Sequence, residues 1–241
     1  MTRKNLLLLV CIIAVLLLGA IGFFIKAVRD ESVAVTTQDP HIVREKQVKL
    51  PEVAQEVDKD VPRERKTDIS YSGKKESKVK MVIYTDLECP FCKKLHTVLP
   101  AITTEFGNSV EIVFRHFPLT IHPSAHMEAE VVNCAIEQSL EKGIRLIDKT
   151  YAETTSSGTT YNLGQYLDLG ASVDLDRSKL TLCMEQNRYA KSVDEDLESG
   201  RSLGVRLTPT VFFLKEGTKT VMVEGARSKE EYQDVLNYFL Q

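Results

Sequence analysis

Lys78-Val-Lys-Met-Val-Ile-Tyr-Thr-Asp-Leu-Glu-Cys-Pro-Phe-Cys92, running on through Lys93 to Phe106, is the stretch that decides the fold. Its first eight residues are rich in β-branched side chains and predict a buried strand. Beyond Lys93, Leu95, Val98, Leu99 and Ile102 recur at helical spacing. Cys89-Pro90-Phe91-Cys92 therefore sits where a strand turns into a helix. Working outward, Val110-Glu-Ile-Val-Phe-Arg-His-Phe117 predicts a second strand, and a helical return of this length suits a right-handed parallel crossover. After Pro118 the period turns helical to about residue 203, punctuated by Gly143, Gly164 and Gly170, with Asp174 expected to start one helix. Leu207 to Leu214, a turn at Lys215-Glu-Gly-Thr218 and Lys219 to Glu224 then read as a β-hairpin. Ser228 with Glu231 three residues on has the form of a capping box opening a last helix through Leu240. The order is β-α-β, a helical insert over about 118–203, then β-β-α, an α/β fold.

Upstream, Arg3 and Lys4 precede an uncharged apolar run of 20 residues, Leu6 to Ile25. About 20 residues span the hydrocarbon layer, so residues 1–25 are expected to form an uncleaved transmembrane anchor. A cleaved signal has a shorter apolar core and a small-x-small junction, where this chain has Phe23-Phe24-Ile25-Lys26. The basic amino end stays cytoplasmic by the positive-inside rule, which places the remaining chain outside the cytoplasm. From Lys26 to about Lys66 there is no aromatic residue, charges of both signs alternate, and Pro40, Pro51 and Pro62 interrupt the sequence; residues 26–67 read as a flexible linker, with the folded domain over 68–241. Val53, Val57 and Val61 have the spacing of one short helix within it. With 27% charged residues and a net charge of only −3, the chain offers no basic field, and nucleic acid is excluded as a partner class. Hydrophobic content of 43% supplies an ordinary core, and five cysteines are too few for a disulfide-dense miniature scaffold.

The chemistry at the strand-helix joint follows from elementary electrostatics. A cysteine at a helix N-terminus faces unpaired N–H groups and the positive end of the helix dipole, both of which favour thiolate over thiol. Cys89 is the expected nucleophile. Pro90 suits the first helical turn, where its missing N–H costs nothing, and Cys92, one turn on, is the expected resolving partner. Exchange passes through a mixed disulfide, for which one exposed and one sheltered cysteine is the useful arrangement. Phe91 is read as an apolar contact for a client chain, or as local packing. A static Cys89–Cys92 disulfide is one rival reading. A zinc site using His122 and His126 is another, but the 29 residues between Cys92 and His122 exceed the usual spacing of about 12–15. No metal and no cofactor is assigned. His116, His122 and His126 read as strand-end, turn and helix-surface residues, and His96 as a helix-face residue.

Asp86-Leu-Glu-Cys-Pro-Phe-Cys92, Phe114-Arg-His-Phe-Pro-Leu119 with His122-Pro123, and Leu207-Thr-Pro-Thr210 together resemble the DsbA-like thiol-disulfide oxidoreductases, from about Lys78 to Gln241. The resemblance implies a thioredoxin fold carrying a helical insert. It also implies that Pro209 is cis beside the two cysteines, leaving the backbone at Thr208 to pair with an extended substrate. The implied function is a membrane-tethered, extracytoplasmic dithiol oxidase that introduces disulfides into exported cysteine-containing client proteins and is reoxidised by a quinone-linked membrane partner. The alternatives are a reductase or isomerase using the same residues, and a non-catalytic binding module presenting a thioredoxin-like groove.

Cys134 and Cys183 remain. In an oxidising compartment a leftover pair reads as a structural bridge, which some DsbA-like proteins also have. Closing a loop of about 50 residues stabilises by roughly 4 kcal/mol on the chain-entropy model. Two buried free thiols are the competing reading. The chain departs from the family in places. Ile83 stands where members often carry a buried carboxylate, Phe91 stands where the strongest oxidants have histidine, and Leu207 replaces a smaller residue. Asp86 and Glu88 are read as solvent-facing charges that oppose a thiolate at Cys89.

Overall fold

The computed structural model describes residues 49–159 and 161–241. Six strands, β1 (Gln55–Val57), β2 (Ile69–Ser72), β3 (Val79–Thr85), β4 (Val110–His116), β5 (Thr210–Lys215) and β6 (Thr220–Glu224), form one sheet in the order β1-β6-β5-β3-β4-β2. Only β3 and β4 are parallel neighbours, in register Val79↔Val110 to Thr85↔His116; the other pairs are antiparallel. The crossover between β3 and β4 is helix α1 (Pro90–Phe106). Five helices form the insert: α2 (Ala125–Gln138), α3 (Leu140–Glu153), α4 (Leu163–Ala171), α5 (Arg177–Glu185) and α6 (Ala190–Ser202). Helix α7 (Lys229–Leu240) ends the chain, opened by the Ser228–Glu231 capping box in both of its hydrogen bonds.

The alternation of β3 divides the core in two. Val79, Met81 and Ile83 face α1 through Leu95, Leu99 and Ile102, and α7 through Tyr232, Val235, Leu236 and Phe239. Each such aliphatic side chain, fully buried, contributes about 1.5–3 kcal/mol. Val82 and Tyr84 face the other way, onto Val61, Phe117, Leu203, Val205 and Phe212. The insert packs on the first face, where Val131, Val132, Leu146 and Tyr151 extend the same core. Cys134 on α2 and Cys183 on α5 are joined by a disulfide within it. On the second face Lys80 and Glu111, partners in the β3–β4 register, form a buried ion pair at 2.9 Å.

The expected linker is not flexible as far as residue 67. Within the described residues its last part joins the fold: β1 pairs with β6, and Leu50, Val53 and Ala54 pack against the core. Val57 lies in that strand, so the short helix suggested by the Val53, Val57, Val61 spacing is absent there. Arg65 meets Asp196 of α6 at 3.0 Å, and the Thr67 hydroxyl donates to the same carboxylate at 2.5 Å. Arg115 of β4 donates to the Pro62 carbonyl and to Asp68. An extended segment anchored by backbone pairing and single polar contacts needs neither aromatics nor a hydrophobic period, which is why its composition reads as a tether. Asp174 likewise does not start a helix. It has a positive φ of 64°, and the side chain that caps α5 is Asp176, which accepts from Lys179 N.

The anchor expected over residues 1–25, and the linker up to residue 48, lie outside the described residues. Among the described residues no helix is long and apolar enough to cross a membrane.

Candidate active site

Cys89 is the N-cap residue of α1, with extended backbone (φ −75°, ψ 121°) and Pro90 in the first turn. Its carbonyl accepts the first intrahelical bond from Lys93 N, and its own N–H bonds back to Asp86 O. This turn after β3 aims the sulfur along the mouth of the helix. Cys89 and Cys92 are both present as free thiols. Burial differs from expectation: Cys89 is 3% exposed and Cys92 1%. Thr208 lies against Cys89, its carbonyl 3.5 Å from the sulfur. Two large apolar side chains nearby, in the same turn and beside Thr208, are exposed. Phe91 is 53% exposed and Leu207 41%, and the Lys94 ammonium lies 5.3 Å from the centre of the Phe91 ring. The Thr208–Pro209 peptide is cis.

The two sulfurs differ in acidity. A hydrogen bond from Cys92, helped by Thr208 and by the N–H groups of Cys92 and Phe91, outweighs burial and lowers Cys89 to about 6. The Thr208 hydroxyl is buried and makes no hydrogen bond to oxygen or nitrogen, so it is free to turn toward that sulfur. Burial, with the neighbouring Cys89 sulfur, pushes Cys92 well above the ordinary thiol value. One thiol is thus primed to attack near neutral pH while the other stays protonated.

Asp86 and Glu88 do not face solvent; both are buried. The Asp86 carboxylate accepts from Glu88 N at 2.9 Å, from Leu119 N at 2.8 Å and pairs with His122 Nδ1 at 2.8 Å. Glu88 accepts from Ser124 N at 2.8 Å and from the Thr159 hydroxyl at 3.5 Å. These partners come from the segment between β4 and α2 and from the loop after α3, so the two charges tie the insert to the active-site turn. The loop after α3 approaches so closely that a Cβ at Gly158 would lie 3.0 Å from Glu88 Oε1, on a backbone with φ of 85°. Burial raises Asp86 against these donors. Beside them Glu128 of α2, hydrogen-bonded to Thr159, is pushed up to about 8 by burial and by the charges of Glu88 and Asp86. Glu128, Thr159 and Tyr151 were not singled out from sequence. Glu128 and Tyr151 fall on the apolar faces of amphipathic helices, a pattern that marks burial but not what the side chain meets.

The histidines do not converge. His122 precedes α2 and turns to Asp86, whereas His126 on α2 pairs with Glu130 and Asp194. His116 closes β4 and is buried, pushed down to about 4 by that burial. His96 pairs with Asp148 at 2.9 Å. Among the described residues no group of three or more His, Cys, Asp or Glu side chains is arranged to hold a metal ion.

A family model described as thioredoxin matches residues 64–237. Pseudomonas aeruginosa DsbA2 is similar over 71% of this chain and 93% of its own, at 25% identity and a TM-score of 0.56. Wolbachia pipientis alpha-DsbA1 is similar over 73% and 92%, at 16% identity and a TM-score of 0.62. Oxidised BdbD from Bacillus subtilis is similar over 72% and 91%, at 17% identity and a TM-score of 0.59. The last two are alike in fold alone. Among curated proteins, the Na(+)/H(+) antiporter NhaA 3 of Salinispora tropica is 30% identical over 141 residues, which is 58% of this chain. The match covers 21% of that protein, so the chain spans about a fifth of the length of the curated relatives it matches.

Proposed function

Because the chain belongs to the thioredoxin family and folds as DsbA-like proteins do, we propose that it is an extracytoplasmic thiol-disulfide oxidoreductase acting as a dithiol oxidase. In this reading it passes a Cys89–Cys92 disulfide to exported cysteine-containing proteins. The observation that carries it is the unequal pair at the start of α1: Cys89 lowered to about 6, Cys92 raised and more deeply buried. Stabilising one thiolate favours the reduced pair over the disulfide, and a disulfide that gains by being reduced is an oxidant.

A client thiolate attacks the sulfur of Cys89, forming a mixed disulfide and expelling Cys92. A second client thiolate then attacks the client sulfur and expels Cys89 as its stabilised thiolate. The exposed rings and aliphatic chains of Phe91 and Leu207 suit unfolded clients, and the backbone at Thr208 suits an extended one. The reoxidant is proposed to be a quinone-linked membrane protein, reached through the anchor expected at residues 1–25. Antiport belongs to the names of relatives of which this chain spans a fifth, and it is not carried over.

Cys92→Ser keeps the nucleophile and removes its resolver, so it should accumulate covalent complexes with exported cysteine-containing proteins, resolved by reduction on gels. Cys89→Ser should accumulate none. Trapping by both variants alike would reverse the assigned roles, and trapping by neither would favour a non-catalytic binding module. Should the trapped clients be disulfide-bonded proteins that accumulate oxidised when the chain is absent, the reductase or isomerase reading replaces the oxidase.

A further inference from the structure

Opening the Cys89–Cys92 disulfide puts a negative charge on the sulfur of Cys92, which is 1% exposed. Such a charge needs hydrogen-bond donors in place before it forms. Position 83 holds isoleucine, and the Asp86 carboxylate is taken up by Glu88 N, Leu119 N and His122. The Asp86 backbone N–H meets the Cys92 sulfur at 3.5 Å, and the hydroxyl of Thr85, the preceding residue at the end of β3, is within reach of the same sulfur as a donor. Thr85 Oγ1 in turn lies 2.6 Å from the hydroxyl of Tyr151, near the end of α3. Both residues are buried, and the Tyr151 ring is held against His96 with centroids 4.6 Å apart.

The geometry points to Thr85 as a further catalytic residue and to Tyr151 as its positioning residue: a chain of two hydroxyls, Tyr151 to Thr85 to Cys92, takes up the charge on the Cys92 sulfur each time the Cys89–Cys92 bond opens. This rests on the thiol-exchange reading above and holds for either direction of electron flow. As the bond between client sulfur and Cys89 forms, the Cys89–Cys92 bond breaks and its electron pair leaves on Cys92. Thr85 O–H donates to that sulfur and accepts from Tyr151 O–H. When the second client thiolate displaces Cys89, the client carries the disulfide and has lost two electrons, and the two cysteines have gained them. Of the two protons released by the client thiols, one ends on Cys92 and the other passes to Cys89 or to solvent. Once Cys92 is a thiol, its S–H turns to the Cys89 sulfur, and Thr85 continues to donate to the Cys92 sulfur while accepting from Tyr151. The insert thereby contributes a group to the chemistry of the thioredoxin core.

The test is the rate at which glutathione opens the oxidised Cys89–Cys92 disulfide in the purified full chain between pH 5 and 9. Its companion is the pH at which the ultraviolet absorbance of the Cys92 thiolate appears in a Cys89→Ala background. Thr85→Val should slow opening about tenfold, and Tyr151→Phe, one bond further away, about threefold. Both should move the Cys92 titration to higher pH, and Thr85→Ser should restore the parent values. The double variant should be no slower than Thr85→Val, because the two hydroxyls act in series. Opening at the parent rate in Thr85→Val and Tyr151→Phe, or a loss in Thr85→Ser equal to that in Thr85→Val, would overturn the inference. If Thr85→Val does not fold, Tyr151→Phe decides, since it removes one atom from a residue that does not touch the sulfur. A parent chain that exchanges with glutathione but oxidises no client defeats the proposed function alone; one that does not exchange defeats both.

Discussion

Cys89 owes its acidity to hydrogen bonds: Cys92 first, then Thr208 and the N–H groups of Phe91 and Cys92. The nearby ammonium of Lys93 is engaged elsewhere, with the carbonyls of Ala152 and Thr154. The folded value of about 6 lies below the ordinary 9.0. The resulting stabilisation of the reduced protein is complete above pH 9 and disappears as the pH falls through 6. At pH 7 it is on the order of 1–2 kcal/mol. The reduced domain should therefore melt above the oxidised one at pH 8, with the gap closing by pH 5, as followed by thermal unfolding of both redox forms. A gap of the same size at both pH values would mean that the thiolate is not its source. At this scale Cys89, Cys92, Thr208 and Pro209 were legible as residue types at recognisable spacing. The burial of Asp86 and Glu88 is not legible, because a charge beside a loop is solvent-facing by default. Their burial depends on Leu119, Ser124, His122 and Thr159, which only the folded chain brings within reach.

An unforgiving contact between neighbouring elements is the Lys80–Glu111 pair, which joins β3 to β4 with both side chains out of water. Removing one partner leaves the other charge buried and unmatched, at about 3–5 kcal/mol, whereas replacing both with apolar residues of similar size is close to neutral. Glu111→Gln should accordingly lower the urea midpoint sharply, and Lys80→Met combined with Glu111→Leu should recover most of the loss. A mild effect of Glu111→Gln would show that water reaches the pair. Strands and helices with a long hydrophobic period were legible at this scale, as was the Ser228 cap, because both signals are local. Strand β1 was not. Three residues carry no measurable alternation, and what holds them is the pairing offered by β6, 163 or more residues further on in the register Gln55↔Met222 to Val57↔Thr220.

For the molecule as a whole, the segment ahead of Asp68 packs Val61 onto one face of the sheet and clamps α6 through Arg65, Thr67 and Asp196. Without it Val61 no longer covers that face, and the Asp196 carboxylate, already raised to about 6 by burial, loses two of its partners. A chain beginning at Lys49 should unfold at higher urea than one beginning at Asp68, by roughly 3 kcal/mol or more from the lost burial and the orphaned carboxylate. Equal stability would restore the boundary read from composition. The same arrangement governs how the protein fares in a crowd of partly folded chains. Among the described residues the sheet ends on one side in β1, with three residues, and on the other in β2, with four residues and a register shift between Ser70 and Ser72. Borders so short and irregular give a stray strand too few partners to stay. On the proposed function, a protein that handles unfolded chains is thus poorly suited to seeding their aggregation, and long-lived contacts with them are left to the sulfur chemistry beside Thr208.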